Sequence, residues 1–293
     1  LKCEVLNGIT VLNASSPCQF FSNEIGWTQL LRPVDGICFG RCYGLSVLWI
    51  EVLAIVAAAG IGTMRAAIDR GDVDEAARQG AQAGPAVVER ALAAPDRSAR
   101  LAAIAAAPIS EDRAGLLPAL AHAAGGADRR VAIPAAYAAR QIARDLARHE
   151  LADDVAPEDL ASWRAAWFDL ARDRDRWIEL RIVALDTAAA LDPAIDPAAL
   201  ADPDPAFRRA VIAVVPMPVP PAMRAPLAAI VAKDADDSVT LDAAAALCAD
   251  LVADPPQPIL DALGAGGLAR IKSLATKASP AATRAIARCL KRP

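Results

Sequence analysis

From Met64 onward, apolar residues recur at helical spacing in runs of about one to five turns, and glycine, proline and aspartate separate the runs. Breaks fall at Gly84-Pro85, Pro95-Asp96, Pro108, Gly125-Gly126, Pro157, Asp192-Pro193, Asp202-Pro203, Pro216–Pro221, Asp234–Asp237, Pro255-Pro256, Gly264–Gly267 and Ser279-Pro280. Several helix starts are chemically explicit. Asp72 with Glu75 fits a capping box, and a proline just inside a helix removes no needed hydrogen bond. Residues 1–44 follow another pattern. Asn7-Gly8, Asn13, Ser15-Ser16-Pro17, Pro33 and Asp35-Gly36 punctuate short apolar runs, which predicts an irregular segment of turns and short strands.

Between these regions, residues 45–62 are apolar except for Ser46, Glu51 and two glycines, a length at the lower limit for a membrane span. Glu51 near the middle would be costly in lipid. Two readings therefore stand: a buried helix, and a membrane anchor or signal-like segment. The flanking arginines, Arg41 on one side and Arg65 and Arg70 on the other, do not fix an orientation.

Composition sharpens the division. Alanine fills 72 positions, of which only Ala14 lies among the first fifty. Short alanine-rich helices are too weak to stand alone in water, because nucleation is costly and each buries little. They must stack, and alanine lets their axes approach toward the lower end of the usual spacing. The expected fold class is all-α, with helix pairs layered over residues 64–293 so that each pair touches the pairs beside it.

Internal similarity supports that layering. Leu116-Leu117-Pro118-Ala119-Leu120, then Asp128-Arg129-Arg130-Val131-Ala132, is echoed by Pro226-Leu227-Ala228-Ala229-Ile230 and the acidic turn Asp234 to Asp237. Asp96, Asp175 and Asp202 open similar second helices, with Arg100, Arg130, Arg181 and Arg208 as anchors one turn further on. The turn aspartates accept helix N–H groups and sit at the favoured end of the helix dipole. Each arginine is within reach of the neighbouring repeat's aspartate, which would make a ladder along the array. These residues read as architecture.

In these features residues 85–291 resemble the HEAT-repeat family of armadillo-like α-solenoids in its bacterial form, most clearly at 112–147 and 220–252. The resemblance implies a right-handed α-solenoid of five or six antiparallel helix pairs. Departures from the pattern are uneven spacing, Thr240 at an arginine position, and a long polar connection with a tryptophan-rich helix at 148–175.

Charge narrows the function. There are 31 lysines and arginines against 35 aspartates and glutamates, a net of −4 with a pI near 5.3, and the signs alternate along the chain. Nucleic acid is disfavoured as a partner. Of six cysteines, Cys3, Cys18, Cys38 and Cys42 precede residue 50. Two disulfides in three possible pairings, free thiols or a zinc site are all open for them, though the spacing and the lack of a nearby histidine weaken zinc. Cys248 and Cys289 fall on apolar helix faces and read as small hydrophobes.

Catalytic patterns are missing from the sequence. His122 and His149 stand alone, Gly60-Ile61-Gly62 and Gly264-Ala265-Gly266-Gly267 lack the context of phosphate loops, and Asp153-Asp154 and Asp236-Asp237 lie in turns. The expectation is therefore no enzyme, no metal, no cofactor and no small-molecule ligand. The candidate partner surface is Trp163 and Trp167, four apart on one helix face, with Arg164 and Trp177, because tryptophan and arginine commonly anchor interfaces. The heavier reading of those rings is that they fill space which alanine cannot.

Together these features predict a non-catalytic scaffold that binds an unidentified protein on the concave face of the solenoid. The alternatives are a HEAT-like enzyme or nucleic-acid handler, similar to bilin lyases or DNA glycosylases, and an envelope-tethered module held through residues 45–62. The compartment, cytoplasm or envelope, turns on whether that segment is an anchor.

Overall fold

Most of the described helices start where the sequence supplies an acceptor or a proline. The computed structural model describes residues 2–6, 9–13, 57–148, 155–249 and 257–291. Asp72, Asp96, Asp128, Asp204 and Ser279 each accept a first-turn backbone N–H, at 2.8–3.3 Å. Proline opens α3 (Pro85–Leu92), α7 (Pro157–Arg172), α9 (Pro205–Ala213), α10 (Pro221–Lys233) and α13 (Pro280–Leu290). The capping box at α2 (Val73–Ala83) is half formed. Asp72 accepts the Glu75 N–H, but the Glu75 carboxylate turns away to Arg78.

The chain divides into two compact units, Leu1–Ala58 and Ala59–Pro293. In the first, β1 (Lys2–Leu6) and β2 (Ile9–Asn13) pair antiparallel with Leu6 opposite Ile9. Cys18, Cys38, Cys42, His149, Asp153-Asp154 and most of the apolar stretch 45–62 lie outside the described residues. The last six residues of that stretch, 57–62, belong to a helix, α1, that continues to residue 69. Among the described residues no helix is long and apolar enough to cross a membrane.

The described part of the second unit is all helix and turn. Its remaining helices are α4 (Arg97–Ala106), α5 (Leu117–Ala124), α6 (Arg129–Ala147), α8 (Ile178–Leu191), α11 (Asp237–Ala249) and α12 (Gln257–Leu274), the last kinked where Gly264 takes φ 58°. The order of contacts is regular. Helices α2, α4, α6, α8, α9, α11 and α13 each pack on the next. Helices α3, α5 and α7 form a second series, as do α10 and α12, and each packs on its sequence neighbour in the first series. The short 3-10 turn Pro197–Ala201 fills the place of a helix between α8 and α9 and packs on both α9 and α10.

Small residues set the spacing. Gly80 in α2 is buried, and a Cβ built there would lie 2.4 Å from the Ala106 Cβ and 2.7 Å from the Met64 sulfur. Leucine, isoleucine and single large rings fill the remaining space. Leu120, Ile142, Trp167, Leu180, Phe207 and Leu247 are all wholly buried.

Arginine and aspartate bind successive turns. In α4, α8 and α9 the residue whose N–H donates to the cap carbonyl is Arg100, Arg181 and Arg208 respectively. Arg181 Nη2 donates to Asp202 Oδ2 at 2.5 Å, and Arg208 donates two bonds of 2.8 Å to Asp234. Arg100 is looser, 3.8 Å from Asp128, whose closer partner is Arg97 at 2.7 Å. Arg130 departs from the ladder. In α6 the equivalent place is Ala132, two residues on, and Arg130 is exposed. Asp175 also departs from its assigned role. Asp173 accepts the Asp175 N–H at 3.1 Å and a bond from Arg176, while Trp177 occupies the cap position of α8 with no side-chain bond.

The reason for both shifts is the Asp-x-Asp turn. At 202–204 and 234–236 the first acid receives the arginine and the second caps the helix, whereas Asp128 must do both at α6. Where Thr240 replaces arginine, the turn before α13 offers Ser279 instead of an acid, so both partners of that rung are replaced together.

Cys248 and Cys289 correct the reading as small hydrophobes. They form a disulfide joining α11 to α13, with Cα atoms 5.5 Å apart and a sequence separation of 41. Both are also buried. A closed loop of that length constrains the unfolded chain by about 4 kcal/mol in the chain-entropy account.

Candidate functional site

The candidate site comes from a stripe on each of three consecutive helices of the first series. On α2 the stripe is Val73 and Ala77 with Asp74 and Arg78. On α4 it is Leu101, Ile104 and Ala105, running on to Pro108 and Ile109. On α6 Tyr137, Gln141, Arg144 and Arg148 are spaced four, three and four residues apart, which places them on one face. Because these helices pack side by side, the stripes line a single open groove of about 1090 Å3. The opposite face of α6 carries Val131, Ala135, Ala139, Ile142 and Leu146 and is buried.

The floor is apolar and wet. Val73 and Ile109 are each 53% exposed and Tyr137 is 40% exposed. The rim is cationic. The Arg140 guanidinium lies 4.6 Å from the centre of the Tyr137 ring, within cation–π range. Arg140 and Arg144 both donate to Asp186 on α8, at 3.4 and 3.0 Å, and the Tyr137 hydroxyl donates to Glu179 at 3.4 Å. Arg78 donates to Glu75, whose carboxyl is held below its usual pKa by that bond and by one from Gln79. Asp145 is half-buried beside Arg113, at 3.4 Å. Arg148 is exposed. A groove in a chain of net charge −4 thus has four arginines and two aspartates in its lining, with one aspartate already engaged.

The tryptophan cluster is placed differently. Trp167 is wholly buried in the core, so its assignment to a partner surface is corrected, and its indole N–H has no acceptor. Trp163 is half-buried and lines a smaller cleft of about 330 Å3 between α5 and α7 with His122 and Ser162. Trp177 is half-buried at the start of α8. Arg164 donates to the Ala194 carbonyl and lies 3.4 Å from Asp192, while Arg172 pairs with Asp196. Both guanidiniums lie over Phe168. These arginines tie α7 to the connection after α8. The rings fill volume between α7 and its neighbours α5 and α8, where alanine alone would leave a void.

The groove presents arginine, aspartate, glutamine and tyrosine side chains around its apolar floor. Its lining contains no histidine, cysteine or serine, and its tyrosine is committed to Glu179. Among the described residues no group of three histidine, cysteine, aspartate or glutamate side chains is placed to hold a metal. The sequence signal that locates the groove is the Tyr137, Gln141, Arg144, Arg148 stripe on α6, the longest unbroken helix among the described residues, in place of the denser aromatic cluster. No protein-family model and no curated protein matches the chain.

Proposed function

We propose that residues 59–293 form a right-handed, HEAT-like α-solenoid of six stacked helix pairs, and that it serves as a non-catalytic scaffold holding a protein partner on its concave face. The array reading is supported by the order of contacts, in which the extensive packing joins each pair to the pair before and the pair after. The binding reading is carried by one observation. Val73, Ile109 and Tyr137 remain in water around one groove rimmed by arginine, where a folding advantage would have buried them.

The experiment is capture of partner proteins by the full chain, compared with Tyr137→Ala at unchanged helicity by circular dichroism. Loss of the captured protein is expected, and undiminished capture removes the groove from the interface.

One observation favours the envelope-tethered form of this scaffold over a cytoplasmic one. A disulfide such as Cys248–Cys289 is favoured in an oxidising compartment. Fractionation through high salt and alkaline wash, with thiol labelling before lysis, tests this. The expected result is membrane retention with both cysteines unlabelled; a soluble chain with labelled cysteines contradicts it.

A further inference from the structure

Which protein segment suits the groove follows from what its rim still has to offer. Arg78 and Arg144 side chains are 61% and 49% exposed, and Arg148 is exposed as well. A guanidinium has five N–H donors, so the single bond from Arg144 to Asp186 leaves donors to spare. Of the nearby acids, two are spent or recessed and one, Asp74, is exposed. Asp145 is 13% exposed beside Arg113, and Asp186 already serves two arginines. An arriving carboxylate therefore finds forked donors, whereas an arriving lysine or arginine meets guanidiniums, with Asp74 the one rim acid not paired to arginine. Between the arginines, Val73, Ile109 and the Tyr137 ring give apolar side chains a surface from which to displace water.

We propose that the groove takes a short protein segment in which bulky apolar side chains are flanked by aspartate or glutamate. The apolar side chains lie on Val73, Ile109 and Tyr137, and the carboxylates on Arg78, Arg144 and Arg148. A groove of about 1090 Å3 is at the upper end of what a drug-sized ligand fills, which suits a segment more than a folded surface. Nucleic acid fits it poorly. Phosphates would lie along an apolar floor, and one ring offers little for bases to stack on. The inference rests on the scaffold reading above and specifies the partner of that same site.

The test titrates the full chain into four labelled probes: a short peptide alternating Leu and Phe with Glu and Asp, the same peptide with lysine for every acid, a Glu–Ser peptide without apolar residues, and a single-stranded DNA. The acidic–apolar peptide should bind, and weaken at high salt. It should lose about tenfold or more in affinity with Tyr137→Ala and several-fold with Arg148→Glu at an exposed position, both measured at unchanged helicity by circular dichroism. Equal or better binding of the lysine peptide, the Glu–Ser peptide or the DNA overturns the proposal, as does acidic–apolar binding that ignores both substitutions. To separate this from the scaffold reading, a photo-crosslinking benzophenone at Ile109 in the full chain reports the segment that docks in native extract. An acidic–apolar crosslinked segment supports the proposal. A basic or purely polar segment overturns it and leaves the scaffold standing, and no protein crosslink at all overturns both.

Discussion

The α2–α4–α6 groove and the α5–α7–α8 tryptophan cluster are two aromatic, arginine-bearing regions of one helical unit, yet one leaves its ring half-exposed and the other buries its central ring. In the cluster, Trp167 is at zero exposure and Arg164 and Arg172 are stitched to the 192–196 connection. In the groove, Tyr137 stands in solvent under Arg140, and its flanking arginines lean on acids that leave donors free. Residue type alone does not mark an interface. What distinguishes the two is whether the helix beneath has a neighbour that needs its volume. In the cluster, α7 packs on both α5 and α8 and the rings fill the space between them. On α6 the neighbours are in place, and the ring is left over.

The largest contrast should come from truncating a ring in each region. Trp167→Ala removes a buried indole and should cost about 3–5 kcal/mol in denaturant unfolding. Tyr137→Ala should cost about 1 kcal/mol or less. Comparable losses would erase the distinction between core and surface on which the contrast rests.

Next in size is Asp202→Ala. It strands the Arg181 guanidinium, 5% exposed and stacked on Phe207, and should cost about 3 kcal/mol or more, whereas Asp186→Ala at the half-exposed groove flank should cost under about 1 kcal/mol. A near-neutral Asp202→Ala would mean that the ladder contributes little to the packed side.

The same buried acids set the pH response. Burial works to raise the pKa of Asp202 and of Asp234, but the bonds from Arg181 and Arg208 and from backbone N–H groups prevail and hold both below the usual carboxylate value. Carboxylates depressed in the folded state contribute fully above the unfolded value of about 3.9, and their contribution fades as pH falls through the folded value. An acid titration followed by circular dichroism should therefore show loss of stability below about pH 4, and a smaller loss in Arg208→Gln. Unchanged stability through that range would contradict the role given to these pairs.

A smaller effect is expected where the two regions share a cause, the close approach of helices. Gly80→Val should push α2 from α4 at a cost of about 1–3 kcal/mol and should weaken binding in the groove above it. Loss of stability without any change in binding would separate the groove's shape from the packing beneath it.

Much of the helical organisation was legible because proline, glycine and aspartate terminate helices for local reasons that survive packing. Asp72, Asp96 and Asp128 cap where the sequence put them. The failures were not local. Arg130 and Asp175 were shifted by two residues because one-acid and two-acid turns look alike until the cap is seen. The disulfide was hidden because two cysteines 41 residues apart carry no pairing signal in helical sequence. The groove was missed because its floor is assembled from three helices, each with too few apolar surface residues to attract notice. Only the Tyr137 to Arg148 stripe was visible in one segment.

The most direct test is a titration of the acidic–apolar peptide against Tyr137→Ala and Trp163→Ala side by side, both with retained helicity. Loss of about tenfold or more at Tyr137 with little change at Trp163 is the predicted result. Loss at Trp163 with Tyr137 indifferent would place the interface on the α5–α7 side and contradict the account.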